Sequence, residues 1–122
     1  MIFCFIQAVS NTVDTIDKTG LAGTKRSKAF YEIEVPVGST LTVTIKGCTS
    51  GDPDLYVKAG AKPSTDSYDC RPYKNGCNEE CVITPTQNVV YHIMIRGYTA
   101  FEGLHLLATG ICFIIYVNKK LK

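Results

Sequence analysis

The 122-residue sequence predicts an all-β protein, namely a jelly-roll-like antiparallel β-sandwich of seven or eight short strands. No long stretch repeats apolar residues at helical spacing, whereas β-branched and aromatic residues are frequent. Short alternating segments are instead separated by glycine and proline turns. The chain has the length of one domain, and its 45% share of apolar residues is enough to build a core.

Two alternating segments define the best-predicted strands. Residues 30–35 place apolar and acidic side chains on opposite faces, and residues 40–46 alternate apolar with polar side chains in the same way. Between them, residues 36–39 contain the proline and glycine that interrupt a strand ladder. We therefore expect two strands joined by a turn, each with one face buried.

Four further strands are predicted along the rest of the chain, at residues 54–58, 82–84, 89–96 and 103–108. In the longest of them, the alternation directs Tyr91, Ile93 and Ile95 toward the core. The same alternation directs Met94 and Tyr56 to the outer faces of their strands. We therefore expect Tyr56 to be exposed.

Both ends of the chain are apolar. Residues 1–10 combine a short apolar run with an acceptable small-residue cleavage site, so we expect the end of a truncated secretory signal; the alternative is a buried strand. The tail, residues 111–122, is apolar and then basic, and its apolar run is far shorter than the ~20 residues that a helix needs to cross a bilayer. The tail is either one more strand or a truncated segment, which leaves residues 11–110 as the folded domain.

Composition and motifs argue against two classes of function. The formal net charge of +2 is nearly balanced and the basic residues are scattered, so nucleic acid is not an expected partner. The sequence also lacks the common motifs of hydrolases and of phosphate-binding loops. Its adjacent carboxylates, Glu79 and Glu80, would point to opposite faces of a strand, which does not suit paired-carboxylate chemistry. We therefore expect no enzymatic activity.

The cysteines indicate the compartment. Four of the six lie close together in the sequence, at Cys48, Cys70, Cys77 and Cys81. This density is typical of a disulfide framework in an oxidising environment. A zinc site would need close ligand pairs such as C-x2-C, which are missing. We expect a secreted protein, extracellular or lumenal, and the residues alone leave open all three ways of pairing these four cysteines.

Aromatic side chains outside the predicted core are the best candidates for binding. The candidate surface consists of Tyr56, Tyr73 and Tyr98 with Arg71 and Arg96 nearby, and Tyr68 and Phe101 also lie in predicted loops. Flat aromatic rings provide a large contact area at low entropic cost, which suits an extended polymer, either glycan or protein. The alternative is that the tyrosines pack over the ends of the sandwich with their hydroxyl groups bonded to backbone.

Asp52 and Asp54 are the candidate metal ligands. Carboxylate oxygens suit calcium, but calcium takes six to eight ligands, and two carboxylates do not make a site. The alternative is that Asp52 caps its turn and Asp54 binds neighbouring backbone amides. We therefore expect no cofactor, with calcium as the one ion that the pattern allows.

Five motifs follow one another along the chain: PVGSTLTVTI (residues 36–45), GDPDLYV (51–57), SYDCRPY (67–73), NEEC (78–81) and IRGY (95–98). Together they resemble the bacterial pre-peptidase C-terminal (PPC) domain, over roughly residues 13 to 109. The resemblance implies a non-catalytic β-sandwich that is appended to secreted proteases and other hydrolases and serves secretion or the binding of insoluble substrate. It also implies a disulfide between Cys70 and Cys81, and with it one between Cys48 and Cys77.

The resemblance leads to a functional expectation. We expect a secreted, monomeric binding or targeting module whose partner is a polymeric or protein surface, a protease among them. The alternatives are a module that binds a protease or its propeptide, and a fragment of a longer secreted hydrolase. Relatives that bind calcium carry an acidic linker ahead of the first strand, and this chain offers only Asp14 and Asp17 there.

Overall fold

The computed structural model describes residues 10–114, and it describes the side chains of residues 14–110. The strands of this part are β1 (Ser10–Gly23), β2 (Lys28–Val35), β3 (Ser39–Lys46), β4 (Pro53–Ala59), β5 (Glu79–Ile83), β6 (Val89–Gly97) and β7 (Phe101–Ile114). They form two antiparallel sheets, one in the order β1-β7-β3-β5 and the other in the order β2-β6-β4. The prediction of an antiparallel β-sandwich is confirmed. Residues 10–114 contain no helix of the length and apolarity that spanning a membrane requires.

Alternation along the central strands fills the space between the two sheets. On β3, Leu41, Val43 and Ile45 are fully buried, and on β6 Ile93 and Ile95 are buried in the same core. Burying one such side chain stabilises the fold by about 1.5–3 kcal/mol relative to leaving it exposed. The inward directions that the sequence predicts for these two strands are therefore correct.

The strands predicted at 30–35 and 40–46 are present as β2 and β3, but they lie in different sheets. β2 pairs with β6, whereas β3 lies between β5 and β7. The turn between them, in which the Ser39 N–H donates to the Pro36 carbonyl at 3.2 Å, carries the chain across the sandwich. Alternation thus predicts which face of a strand is buried but not which strand lies beside it.

The outer face of the three-stranded sheet is buried where β4 lies beside β6. Across this face Tyr56 of β4 lies beside Met94 of β6, and both side chains are 0% exposed. The connection between β4 and β5, residues 60–78, lies over these two side chains, and we call it the covering segment. The ring of Tyr68 in this segment contacts the Tyr56 ring edge-on, with the ring centres 5.7 Å apart. The expectation that Tyr56 is exposed is therefore wrong. Its side chain points outward as predicted, but the covering segment buries it.

Backbone hydrogen bonds and disulfides hold the covering segment in place. The N–H of Val57 donates to the Cys70 carbonyl at 2.9 Å, and the N–H of Cys70 returns a bond to Val57 at 3.0 Å. This bridge occupies the free edge of β4, which would otherwise offer unpaired backbone groups to other chains. A disulfide joins Cys70 to Cys81 of β5, and a second joins Cys48, in the turn after β3, to Cys77.

The structure has one strand that the sequence does not predict, β1, and a longer β7 than the sequence predicts. The polar segment that forms β1 is not predicted as a strand, yet it pairs with β7 over most of its length at the edge of the sheet. Phe101, expected in a loop, begins β7 and is only 4% exposed, because its ring packs in the core. The backbone of residues 111–114 continues β7. Residues 1–9 of the expected signal segment and residues 115–122 of the tail lie outside the described residues.

Candidate functional site

A cavity of about 250 Å³ lies where β4 begins, between the covering segment and the loop that follows β6. Its lining residues are Asp52, Asp54, Arg71, Tyr73, Lys74, Asn75 and Tyr98. Tyr73 and Tyr98 are strongly exposed, at 67% and 59%. We call it the Tyr73–Tyr98 cavity. It combines exposed aromatic rings with charged groups of both signs.

The turn that carries Asp52 is held close to the start of β7. Gly51 has φ +97°, a conformation that glycine adopts without strain, and a Cβ at this position would lie 2.6 Å from the Cα of Phe101. The carbonyl of Asp52 accepts a hydrogen bond from the N–H of Tyr98 at 2.9 Å. Glycine at position 51 therefore lets two loops approach, and their contact places Asp52 and Tyr98 at one cavity.

Arg71 is the central side chain of the site. Its guanidinium carbon lies 4.7 Å from the centre of the buried Tyr56 ring and 3.6 Å from the centre of the Tyr73 ring. Its Nη2 atom lies 3.3 Å from Oδ2 of Asp54. A cation stacked on an aromatic ring is attracted by the ring's negative face, more so when it is shielded from water. Arg71 therefore connects the exposed Tyr73 to the buried part of the fold.

The backbone at Tyr73 is unusual. Its φ of 62° lies in the left-handed region, which residues other than glycine occupy at a cost of order 1–3 kcal/mol. The next residue, Lys74, is held in place by Glu79, whose Oε2 atom accepts a hydrogen bond from the Lys74 N–H at 3.1 Å. Such strain persists only when the surroundings hold the residue in place, and it is common at ligand-binding positions. Here it keeps an apolar ring turned toward solvent.

Two buried carboxyl groups lie at this end of the sheet. Burial raises the pKa of Asp54 above its ordinary value, while the hydrogen bond from Arg71 opposes that rise. Burial also raises the pKa of Glu79 to about 7, although the backbone N–H groups of Leu55 and Lys74 favour its ionised form. The Leu55 N–H donates to Oε1 of Glu79 at 2.7 Å. Glu79 is therefore a structural carboxyl group that joins β4 to the covering segment.

The structure brings together most of the predicted binding residues. Arg71, Tyr73 and Tyr98 line the Tyr73–Tyr98 cavity, and Tyr56 lies beneath Arg71 rather than at the surface. Arg96 does not line the cavity, but it stands opposite Asp54 in the pairing of β6 with β4. The roles of these residues in binding remain predictions.

Sequence reasoning did not find Glu79, Lys74 or Asn75 as parts of this site. The one sequence signal for Glu79 is its position shortly before Cys81, the β5 cysteine that is bonded to the covering segment. Its burial depends on that covering segment, and local alternation carries no information about it.

Calcium binding also stays a prediction. Asp52 and Asp54 both line the cavity, and one oxygen of Asp54 is paired with Arg71. Among residues 10–114 no group of three or more His, Cys, Asp or Glu side chains is placed to hold a metal ion. A cation at Asp54 would have to compete with the guanidinium group.

The fold and the site define a small disulfide-bonded β-sandwich that presents aromatic rings beside a shallow polar cavity. The profile of the bacterial pre-peptidase C-terminal domain family matches residues 27–97, and the chain belongs to this family. The matched parts of its relatives are C-terminal regions of bacterial extracellular proteases. The solution structure of vEP C-ter 100 is similar, with a TM-score of 0.62 and 40% sequence identity over 83% of this chain and 92% of that one.

Curated relatives share this region within much longer proteins. The chain is 51% identical over 87 residues to the virulence metalloprotease of Vibrio anguillarum, covering 71% of this chain and 14% of that protein. It is 47% identical over 88 residues to a zinc metalloprotease of Helicobacter pylori, covering 72% and 34%. It is 44% identical over 90 residues to alkaline serine exoprotease A of Vibrio alginolyticus, covering 74% and 17%. The chain thus spans about a third or less of the length of these relatives.

Proposed function

We propose that this chain is a secreted, non-catalytic accessory module of a protease or other hydrolase. It binds a polymeric or protein surface through the rim of the Tyr73–Tyr98 cavity. The comparisons support the accessory role, because the same region occurs in relatives named as metalloproteases and in one named as a serine exoprotease. A region shared by enzymes with different catalytic chemistry is not expected to supply the catalytic groups of either.

The observation that carries the binding role is the position of Tyr73. Its ring is 67% exposed, it is stacked on Arg71 at 3.6 Å, and its backbone is held in the left-handed region. An aromatic ring fixed in advance loses little conformational freedom on binding, so more of its contact energy appears as affinity.

Adsorption to insoluble material tests this proposal. The 122-residue protein is incubated with insoluble collagen, chitin and starch, and the fraction that sediments is measured. The double variant Tyr73→Ala/Tyr98→Ala is expected to lose adsorption at least about thirtyfold, since one anchoring aromatic can contribute ~2 kcal/mol or more. Val82→Ala is the matched control, because Val82 is 60% exposed on β5, away from the cavity.

Two results would contradict the proposal. The first is equal adsorption by the double variant and the wild-type protein. The second is hydrolysis of casein by the purified chain, which would show catalytic activity. Retention by an immobilised protease or propeptide, without adsorption to any insoluble material, would favour the interaction module instead.

A further inference from the structure

The Tyr73–Tyr98 cavity has a concentration of unpaired polar atoms around it. Five buried side-chain nitrogen or oxygen atoms of the described residues have no hydrogen-bond partner among them. Two of the five belong to residues that line this cavity, Asp52 Oδ1 and Arg71 Nε, and two more, Tyr56 Oη and Arg96 Nε, belong to residues next to the lining. Buried polar groups are nearly always hydrogen-bonded in folded proteins, so each exception calls for an explanation. Two exceptions in the lining of one cavity favour a ligand that supplies the missing partners.

These atoms are neighbours in the fold. Asp52 and Arg71 line the cavity, and the Tyr56 ring lies directly beneath the guanidinium group of Arg71. Arg96 stands opposite Asp54 across the β4–β6 pairing, and its charge acts on both Asp54 and Tyr56. A group bound in the cavity would therefore lie beside Asp52 and Arg71, which each carry one unpaired atom.

The unpaired atoms differ in hydrogen-bonding character. A carboxylate oxygen accepts only, a guanidinium N–H donates only, and a phenol hydroxyl does both. A ligand rich in hydroxyl groups meets all three needs, because each hydroxyl donates one hydrogen bond and accepts others. Neither an anion nor a cation would satisfy the whole set.

The charge of the lining points to an uncharged ligand. Two carboxylates, Asp52 and Asp54, lie against one guanidinium group and one ammonium group, those of Arg71 and Lys74. The lining therefore has no excess of either sign to attract an ion. Asn75 adds an amide, which donates and accepts like a hydroxyl group.

The size of the cavity and the aromatic rings at its rim favour the binding of a single monomer unit of a polymer. Its volume of about 250 Å³ is slightly below the range of roughly 300–1,000 Å³ that is typical of pockets for drug-sized ligands. The two exposed tyrosine rings offer flat apolar faces at its mouth. A sugar ring has this combination of an apolar C–H face and a hydroxyl-bearing edge.

We propose that the Tyr73–Tyr98 cavity binds one sugar unit of an uncharged, hydroxyl-rich glycan. Tyr73 and Tyr98 contact the C–H face of the sugar, while Asp52 and Arg71 bind its hydroxyl groups. The unpaired atoms of Asp52 and Arg71 are shielded from solvent, so an exposed side chain of the lining must shift as the sugar enters; exposed side chains change rotamer within nanoseconds. The inference rests on the proposed function and names the ligand class of the same surface.

Affinity electrophoresis tests the inference. The 122-residue protein is run in native gels that contain soluble starch, galactomannan or hydroxyethyl cellulose, and its binding to chitohexaose is measured by calorimetry. We expect retardation or binding with at least one of these four uncharged probes. Asp52→Ala and Tyr98→Ala should each weaken that binding about tenfold or more, as expected when a buried hydrogen bond or an aromatic contact is lost. The matched control is Asp66→Ala, because Asp66 is an exposed carboxylate of the covering segment outside the cavity.

Each other outcome overturns the inference in a distinguishable way. Binding to none of the four probes, together with tyrosine-dependent adsorption to collagen, would reject a glycan ligand and leave the proposed function intact. Absence of binding to any glycan and to collagen would reject both. Glycan binding that Asp52→Ala and Tyr98→Ala leave unchanged would place the ligand elsewhere on the protein. A circular dichroism spectrum and melting temperature equal to those of the wild type will show that each variant is folded.

Discussion

Glu79 is a carboxyl group that has almost no contact with solvent, since the residue is only 2% exposed. Its two oxygens accept the backbone N–H groups of Leu55 on β4 and Lys74 in the covering segment. Through these bonds one side chain fixes the segment that carries Tyr73. Asp54 and Asp52 are close enough to disfavour its ionised form further. Its protonation is therefore coupled to the geometry of the cavity rim.

The first prediction concerns this carboxyl group and pH. The pKa of Glu79 is raised from 4.5 to about 7 in the folded protein, so the folded state binds the proton more tightly than the unfolded state does. The free energy of unfolding should therefore fall as the pH rises from about 4.5 to about 7, by up to about 3 kcal/mol. Glu79→Gln, which keeps one acceptor oxygen but does not ionise, should lack this decline. Urea unfolding at several pH values between about 5 and 8 measures the difference.

The comparison of the two proteins is its own control, because every other ionisable group is present in both. The contributions of those groups cancel in the difference between wild type and variant. Parallel pH profiles for the two proteins would show that Glu79 does not carry the raised pKa.

Arg71 connects the buried part of the fold to the proposed binding surface. It lies between a ring that is 0% exposed and a ring that is 67% exposed, and it is paired with Asp54. Lysine would keep the charge but lose the planar group that stacks on both rings. The arrangement therefore depends on arginine and not merely on a positive charge.

At the scale of the element, the covering segment decides which residues are buried. Alternation along β4 and β6 correctly assigns Tyr56 and Met94 to the outer face, and it carries no information about the segment of residues 60–78 that lies over that face. The resemblance implied the disulfide between Cys70 and Cys81 that ties this segment to β5, a pairing that the structure shows. Long-range coverage of this kind depends on the whole fold and cannot be deduced from a strand's own pattern.

The edges of the sheets were also difficult to predict. β1 is polar because it lies at an edge and pairs on one side only, so it lacks the alternating apolar residues by which a strand is recognised. By contrast, the central strands β3 and β6 bury alternate apolar residues, and their directions follow from the sequence. Tyr73 and Tyr98 could be predicted as surface residues because they lie in turns next to proline or glycine.

A core substitution on each face of β6 tests the covering segment. The sequence pattern alone would make Met94→Ala milder than Ile93→Ala, because only Ile93 faces the main core. Both side chains are 0% exposed in the structure, so we expect each variant to lose about 2–5 kcal/mol of the free energy of unfolding. Urea unfolding provides the measurement, and Val82→Ala serves as the exposed control. A loss below about 0.5 kcal/mol for Met94→Ala would mean that the covering segment does not bury this face.

At the scale of the molecule, the covering segment is attached to both sheets of the sandwich. The two disulfides attach it to the four-stranded sheet, one at β5 and the other at the turn after β3, while the Val57–Cys70 backbone bridge attaches it to the three-stranded sheet. The cavity rim is thus fixed by covalent bonds rather than by a large core. Disulfides of this kind persist in oxidising compartments.

The disulfide prediction follows from this arrangement. Peptide mapping without reduction should recover Cys70 linked to Cys81 and Cys48 linked to Cys77. The double variant Cys70→Ser/Cys81→Ser should lose roughly 3 kcal/mol of the free energy of unfolding, because closing a loop of this length restricts the unfolded chain. It should also lose adsorption, since Tyr73 lies in that loop. Recovery of four free thiols from folded, secreted protein would contradict both the bridges and the proposed compartment.

The central claim is that Tyr73 binds a ligand while Tyr56 supports the fold, and one paired measurement on Tyr73→Ala and Tyr56→Ala tests it most directly. For each variant, the midpoint of thermal unfolding and adsorption to the insoluble material that the wild type binds best are determined on the same sample. Tyr73→Ala is expected to keep its midpoint within a few degrees and to lose adsorption about thirtyfold, whereas Tyr56→Ala should lose about 3–5 kcal/mol of stability as a buried aromatic does. If Tyr73→Ala instead loses stability in step with adsorption, the exposed ring is structural and the proposed binding surface does not exist.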